Sequence, residues 1–356
     1  MKSSAHGGDW AAFLEETGAL PLDFSASISP LGLPDGVKRA AAGALQFSGR
    51  YPDPHCRALR RALSEKTGIP AEKIVCGNGA ADLIYRLPAA LHAARALLPV
   101  PAFSEYASAL ALGGCALERV PFRPEDDFAL PEAFVGALHP QLDLVLLCQP
   151  NNPTGRLIPP ELLQKILRRC REMDIALVVD ECFLPLADDP SRHSLLQELH
   201  AGGRLILLRA FTKLYAMAGL RLGAALCSSV PLAEALERAG QPWAVSTVAQ
   251  AAGEAALRED AYVQKLRALI RRERESMKSE LAALGFKVVP GEANFLLFFC
   301  GRPMLAEALR RRGILLRDCR NFDGLGPGWY RTAIRTPEEN ALLLEALRDF
   351  LKEQGD

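Results

Sequence analysis

Residues 142–181 read LDLVLLCQPNNPTGRLIPPELLQKILRRCREMDIALVVDE, and their pattern decides the fold. Leu142 to Cys148 and Ala176 to Val179 are apolar runs too short for ordinary helices, and polar or turn residues bound them, as expected of strands buried on both faces. Between them, Pro159 to Arg171 has proline at its start and apolar residues at helical spacing, so it reads as the crossover helix that parallel strands need. The stretch is a β-α-β unit. A third run, Leu205 to Leu208, continues the alternation, which predicts an α/β fold with a mainly parallel central sheet flanked by helices.

Outward from this unit the character changes. Ala261 to Leu284 reads as a long charged helix, followed by short apolar runs at Phe286 to Val289 and Phe295 to Phe299 and a last helix from Pro337 to Lys352. That mixture suggests a smaller α+β domain packed on the first. The first 35 residues hold Pro21, Pro30 and Pro34 among glycines and serines, which predicts an irregular arm. At 356 residues the chain exceeds the size at which a single core usually stops growing. Its 42 basic and 42 acidic residues cancel, so bulk charge points neither to nucleic acid nor to an anionic membrane, and a small-molecule substrate fits better. The opening residues, Met1 to His6, lack the apolar core of a signal peptide, and no apolar run approaches the roughly 20 residues of a spanning helix. The expected location is the cytoplasm. The nine cysteines show no CxxC spacing and the six histidines no HExxH pairing, so reduced core thiols and no metal site are expected.

The chemistry gathers at the ends of the predicted strands. Lys73 to Ile84 runs from an apolar stretch through Gly77-Asn78-Gly79 into Ala80, Ala81 and a helix start. Exposed N–H groups and small residues at such a start suit a phosphate, although an ordinary strand-to-helix turn reads the same way. Gln149 to Gly155 (QPNNPTG) follows a predicted strand, where ligands bind in open α/β sheets, and Asn152 is held out of the α region by the proline after it. Asp180 ends the next run. A carboxylate there is costly unless a cation, such as a protonated pyridine nitrogen, meets it. Beyond the third run comes Phe211 to Gly223 (FTKLYAMAGLRLG). Lys213 could form a Schiff base if an enclosed, cationic setting lowers its pKa, and Arg221 could supply that field and a fork for phosphate oxygens. Singly, each of these residues has a bland reading as a turn, a cap or a surface charge.

In this order the set resembles the class I/II aminotransferases, the fold type I pyridoxal-phosphate enzymes with an aspartate-aminotransferase-like fold. The resemblance implies pyridoxal 5'-phosphate as cofactor. Asn152 would hold its 3-hydroxyl, Asp180 its ring nitrogen, Lys213 its carbonyl carbon, and Arg221, Thr212 and the turn at Gly79, Ala80 and Ala81 its phosphate. Phe103, in Pro101-Ala102-Phe103-Ser104-Glu105-Tyr106, takes the place of the aromatic residue stacked on the ring. Tyr51, in Arg50-Tyr51-Pro52-Asp53-Pro54, resembles the tyrosine that reaches the phosphate of a neighbouring subunit, which implies a homodimer with shared sites. The implied division is an arm and part of the small domain over 1–45, a large cofactor-binding domain over 46–250, and a C-terminal small domain over 251–356.

Two groups within the family are similar, the histidinol-phosphate aminotransferases and the threonine-phosphate decarboxylases of cobalamin synthesis. His6-Gly7-Gly8, Asp23-Phe24-Ser25-Ala26, Gln241-Pro242-Trp243, Tyr330 to Arg335, and Phe183 three residues after Asp180 resemble the decarboxylases. That likeness implies a small phosphorylated amino acid as substrate, with Arg317 and His6 at its phosphate and Arg331 at its carboxylate. The pattern departs at Ser27 and Ser29, where the decarboxylases have asparagine and which lie near the presumed substrate, and at Ala210, which leaves Thr212 to donate. Arg335 is an extra cation without an assigned role. Whether carbon dioxide or a proton leaves depends on which bond stands perpendicular to the ring, and on sequence the choice of lyase over transferase rests on resemblance. A third class, regulators that bind the same cofactor, carries a basic DNA-binding domain that this sequence does not show.

Overall fold

A computed structural model of the chain describes residues 6–355; residues 1–5, read above for a signal sequence, and residue 356 lie outside it. The strands are β1 (Leu22–Asp23), β2 (Ile74–Gly77), β3 (Arg95–Val100), β4 (Ala116–Pro121), β5 (Leu144–Cys148), β6 (Ala176–Asp180), β7 (Leu205–Ala210) and β8 (Gly223–Cys227). Later in the chain come β9 (Lys287–Val288), β10 (Phe295–Phe299), β11 (Ile314–Leu315), β12 (Arg317–Asp318) and β13 (Trp329–Ala333). β2 to β8 form one seven-stranded sheet in the order β2-β8-β7-β6-β5-β3-β4. β8 alone runs antiparallel to its neighbours, and the other pairings are parallel. The expected α/β architecture is present.

The helix Pro160–Glu172 makes the crossover from β5 to β6, with Leu162, Leu163, Ile166, Leu167 and Cys170 on its buried side. Glu161 lies in its first turn and Arg169 and Arg171 in its last, charges that complement the helix dipole. Every residue of β5 and β6 is buried. Alternation sends Val145, Leu147, Leu177 and Val179 to one face and Leu144, Leu146, Ala176 and Val178 to the other, into two separate apolar cores.

The second sheet is antiparallel, β12-β13-β10-β9. It packs with the 24-residue helix Asp260–Ala283 and the helix Pro337–Glu353, whose first turn is closed by a capping box between Thr336 and Glu339. The arm is more regular than its prolines and glycines suggest. Trp10–Thr17 is a helix, and β1 pairs in parallel with β11, so the early chain is stitched to the late chain. The amphipathic run Trp10-Ala11-Ala12-Phe13-Leu14 wins locally because Phe13 finds a buried place. Of Phe286 to Val289 only Lys287–Val288 forms a ladder. All nine cysteines are free, seven of them buried, and no described helix is long and apolar enough to cross a membrane.

Candidate active site

Parallel strands leave their carboxyl ends at one edge of the sheet, where loops collect. β2 ends at Gly77, β5 at Cys148, β6 at Asp180 and β7 at Ala210. The reversed strand β8 starts at that same edge, with Gly223 in register with both Gly77 and Ala210. The glycine turn, the lysine segment and Arg221, two residues before Gly223, are thereby gathered around one point.

Gly79 opens the helix Gly79–Leu91 at φ 80°. A Cβ there would stand 2.8 Å from Arg221 Nη2, and a Cβ on Gly223 would stand 2.4 Å from the Ala80 nitrogen. Neither position has room for a side chain. The two glycines let the start of this helix approach the guanidinium on one side and β8 on the other, and N–H donors at a helix start next to a positive charge suit a phosphate. Arg221 Nη1 donates to the Ala218 carbonyl at 3.2 Å, which sets its direction.

Lys213 sits in the short helix Phe211–Leu214 directly behind β7, and its carbonyl accepts from Ser29 N at 3.0 Å. Burial first, then the charge of Arg331, lowers its pKa to about 8; Arg221 acts the same way, and Cys182 and Asp180 oppose them. An amine so tuned is available near neutral pH as nucleophile and as proton carrier. Its Nζ lies 5.9 Å from the Phe183 ring centre, and Phe183 meets Phe295 edge-on. Thr212, in the same turn, is buried.

Asp180 is buried at the end of β6. Its Oδ2 accepts the Tyr106 hydroxyl at 2.6 Å and its Oδ1 the Cys182 N–H at 2.9 Å, so both oxygens are held in place. Phe103 meets Tyr106 edge-on, ring centres 5.6 Å apart. His6, from the arm, comes within 5.9 Å of the Phe103 ring and places Nε2 2.9 Å from Glu105. Asn152 accepts from Arg331 Nη1, while Arg331 Nη2 donates to the Ser25 carbonyl at 3.0 Å. Arg331 lies over the Phe295 ring at 4.9 Å, and burial lowers its pKa to about 10. Arg317 is its register partner on β12, lies over the Phe322 ring and donates to Asn321 Oδ1 at 2.8 Å.

The strand edge thus holds the glycine turn, Asp180, Lys213 and Arg221, with Phe103 and Asn152 tied in through Tyr106 and Arg331. Tyr51 faces solvent instead, 81% exposed and stacked on Trp243 at 4.6 Å. The Ser29 hydroxyl lies 2.5 Å from the Tyr262 hydroxyl. The other serine, Ser27, is buried with its hydroxyl unpartnered among the described residues. Arg335 also gains a role. It bridges the Asp23 carbonyl and Glu339, joining β1 to the start of the last helix. Sequence reasoning missed Tyr106, the Ser25 carbonyl and Gly223. Tyr106 follows Phe103 by three residues, the spacing that puts two side chains on one helical face, and that signal could have found it.

The donor set fits a flat, phosphorylated pyridine: a phosphate cradle that a Cβ would fill, an anion beneath Tyr106, an aromatic face and a weakly basic amine. The family described as aminotransferase class I and II matches residues 21–347. The chain is 39% identical over 355 residues to the threonine-phosphate decarboxylase of Salmonella typhimurium, covering 98% of this chain and 97% of that one. It is 32% identical over 344 residues to histidinol-phosphate aminotransferase 1 of Cupriavidus pinatubonensis, covering 95% and 90%. Among solved structures, the histidinol-phosphate aminotransferase of Clostridium acetobutylicum superposes with a TM-score of 0.87 at 27% identity, covering 93% of this chain and 99% of that one.

Proposed function

The chain belongs to the aminotransferase class I and II family and is a pyridoxal-phosphate enzyme, and on that premise we propose that it decarboxylates L-threonine O-3-phosphate to 1-aminopropan-2-ol O-phosphate and carbon dioxide, a step of cobalamin synthesis. The observation that carries this reading is the opposed pair Arg317 and Arg331. A substrate with a phosphate and a carboxylate a few bonds apart can meet both cations, each through charge-assisted hydrogen bonds. The full-length likeness to the threonine-phosphate decarboxylase supports the same substrate.

When bound, the pyridine ring accepts the electrons that the substrate releases as a bond to its α-carbon breaks. The chain's residues hold it for that task. Gly79, Ala80 and Ala81 N–H groups, Thr212 and Arg221 take its phosphate, Phe103 covers its face, Asn152 takes its hydroxyl, Asp180 its nitrogen, and Lys213 its carbonyl carbon. Residues 46–250 would form the domain that carries these groups. Arg331, fixed by Asn152 and Ser25, receives the substrate carboxylate, and Arg317 with His6 receives the phosphate. Lys213 then delivers a proton to the carbon from which carbon dioxide has left. The exposed Tyr51 and Trp243 stack would serve the phosphate of a second copy, making the working form a homodimer.

Threonine phosphate, serine phosphate and histidinol phosphate are to be incubated with the cofactor-loaded protein, with and without 2-oxoglutarate, while carbon dioxide and glutamate are followed separately. Carbon dioxide from threonine phosphate without a keto acid is the expected result. Glutamate from histidinol phosphate, with no carbon dioxide from either phospho-amino acid, would replace this reading with an aminotransferase.

A further inference from the structure

Tyr106 is buried to 1% exposure on the helix Ser104–Leu112, away from any solvent partner for its hydroxyl. That hydroxyl lies 2.6 Å from Asp180 Oδ2, and the same ring stands edge-on to Phe103, at an interplanar angle of 88°. One side chain therefore touches both the aromatic face and the carboxylate of the site. We propose that Tyr106 is a positioning residue, which fixes the Asp180 carboxylate in one orientation relative to the aromatic face of Phe103, so that the carboxylate is presented to a protonated ring nitrogen.

The inference rests on the cofactor site described under the proposed function. A buried carboxylate needs donors to remain charged. Tyr106 O–H donates to one oxygen and Cys182 N–H to the other, so the plane of the carboxylate is held from both ends. Tyr106 is a dependable donor: burial, followed by the charge of Asp180 and the nearness of Cys148, pushes its pKa well up, so it stays protonated throughout the working range. The other titratable groups facing Asp180 are Cys148 at the end of β5, Cys182 in the following loop and Lys213 behind β7. Burial and Asp180 raise both thiols, so neither can take over as a second anion. Without the tyrosine hydroxyl, Asp180 Oδ2 would lose its side-chain donor and the carboxylate would be free to turn about its last torsion.

The test measures pyridoxal-phosphate dissociation constants by equilibrium dialysis at pH 7, for the native protein, Tyr106→Phe, Asp180→Asn and the double variant. The expected result is about tenfold weaker binding in Tyr106→Phe and no further loss when Tyr106→Phe is added to Asp180→Asn. Losses that add in the double variant, or native-level binding in Tyr106→Phe, would show that the tyrosine serves packing alone. Thermal melting of the cofactor-free proteins separates folding from function: Tyr106→Phe keeps the ring against Phe103, and Asp180→Asn with and without it supplies the comparison if the single variant is unstable. A native protein that fails to bind the cofactor at all would overturn the proposed function itself, a different outcome from additive losses.

Discussion

Arg317 and Arg331 are direct register partners on the antiparallel strands β12 and β13, and each is only 7% exposed. Like charges placed opposite each other on a sheet repel, and the charge of Arg317 contributes to lowering the pKa of Arg331. Each guanidinium is steadied over an aromatic ring, Phe322 for one and Phe295 for the other. The arrangement gains most when anions occupy it, and two anionic groups on one small molecule satisfy it better than one.

Arg317→Ala should therefore discriminate between substrates. Removing a charge-assisted phosphate contact costs on the order of 1.5–3 kcal/mol, roughly 10- to 150-fold in kcat/KM for threonine phosphate. Threonine itself, which lacks the phosphate, should lose much less. Steady-state carbon dioxide release from both substrates reads this directly, and equal losses would place Arg317 in the scaffold instead.

The anchoring residue can be read chemically. Native protein loaded with pyridoxal phosphate is expected to be yellow, and borohydride reduction followed by peptide mapping should place the pyridoxyl group on Lys213. Lys213→Ala should neither hold the colour nor turn over substrate. A label on any other lysine would reassign the site.

The phosphate cradle makes a steric prediction as well as an electrostatic one. Arg221→Ala removes one charge-assisted contact, worth on the order of 1.5–3 kcal/mol of cofactor binding. Gly79→Ala keeps that arginine yet puts a methyl group 2.8 Å from its Nη2, at a φ of 80° where an L side chain is strained. Both variants should lose cofactor on dialysis, with Lys213 intact. Retention by Gly79→Ala at the native level would mean that the guanidinium can move aside, and that the closeness of the two is incidental.

Much of this site was legible in the sequence because its parts follow strands. Leu142 to Cys148, Ala176 to Val179 and Leu205 to Leu208 announce themselves by apolar runs, and each is followed within five residues by a residue of the cluster, Asn152, Asp180 and Lys213 in turn. What the sequence concealed depends on distance along the chain. Nothing near Ser25 indicates that its carbonyl will meet Arg331, since 306 positions separate them. Ser29 and Ser27 look equivalent until the fold gives one of them Tyr262 as a partner. The arm helix Trp10–Thr17 was hidden by the prolines and glycines around it, although its own eight residues contain neither. Arg335 read as a spare cation because its partners, Glu339 one helical turn later and the Asp23 carbonyl at the far end of the chain, are set by the fold.

The last prediction follows from the cost of holding Lys213 in the site. Its pKa falls from 10.5 to about 8, chiefly through burial and then through Arg331, which means that the folded chain disfavours the ammonium form. Between those two values the unfolded chain binds more protons than the folded chain, so stability rises with pH across that window, and the penalty is present in full below about pH 8. Replacing Lys213 with methionine keeps the length of the side chain and removes the charge. Lys213→Met should then make the cofactor-free protein more stable at pH 7 by on the order of 1–3 kcal/mol, the smaller end applying because the side chain is only part-buried. The difference should shrink as pH rises from 8 towards 10.5. Denaturant unfolding of both cofactor-free proteins at pH 7 and at pH 10 gives the comparison. A variant no more stable than the native protein at pH 7, or a gap that does not narrow at pH 10, would show that the folded site accommodates the charged lysine at no cost. On the proposed function, the gain in stability comes with complete loss of cofactor anchoring.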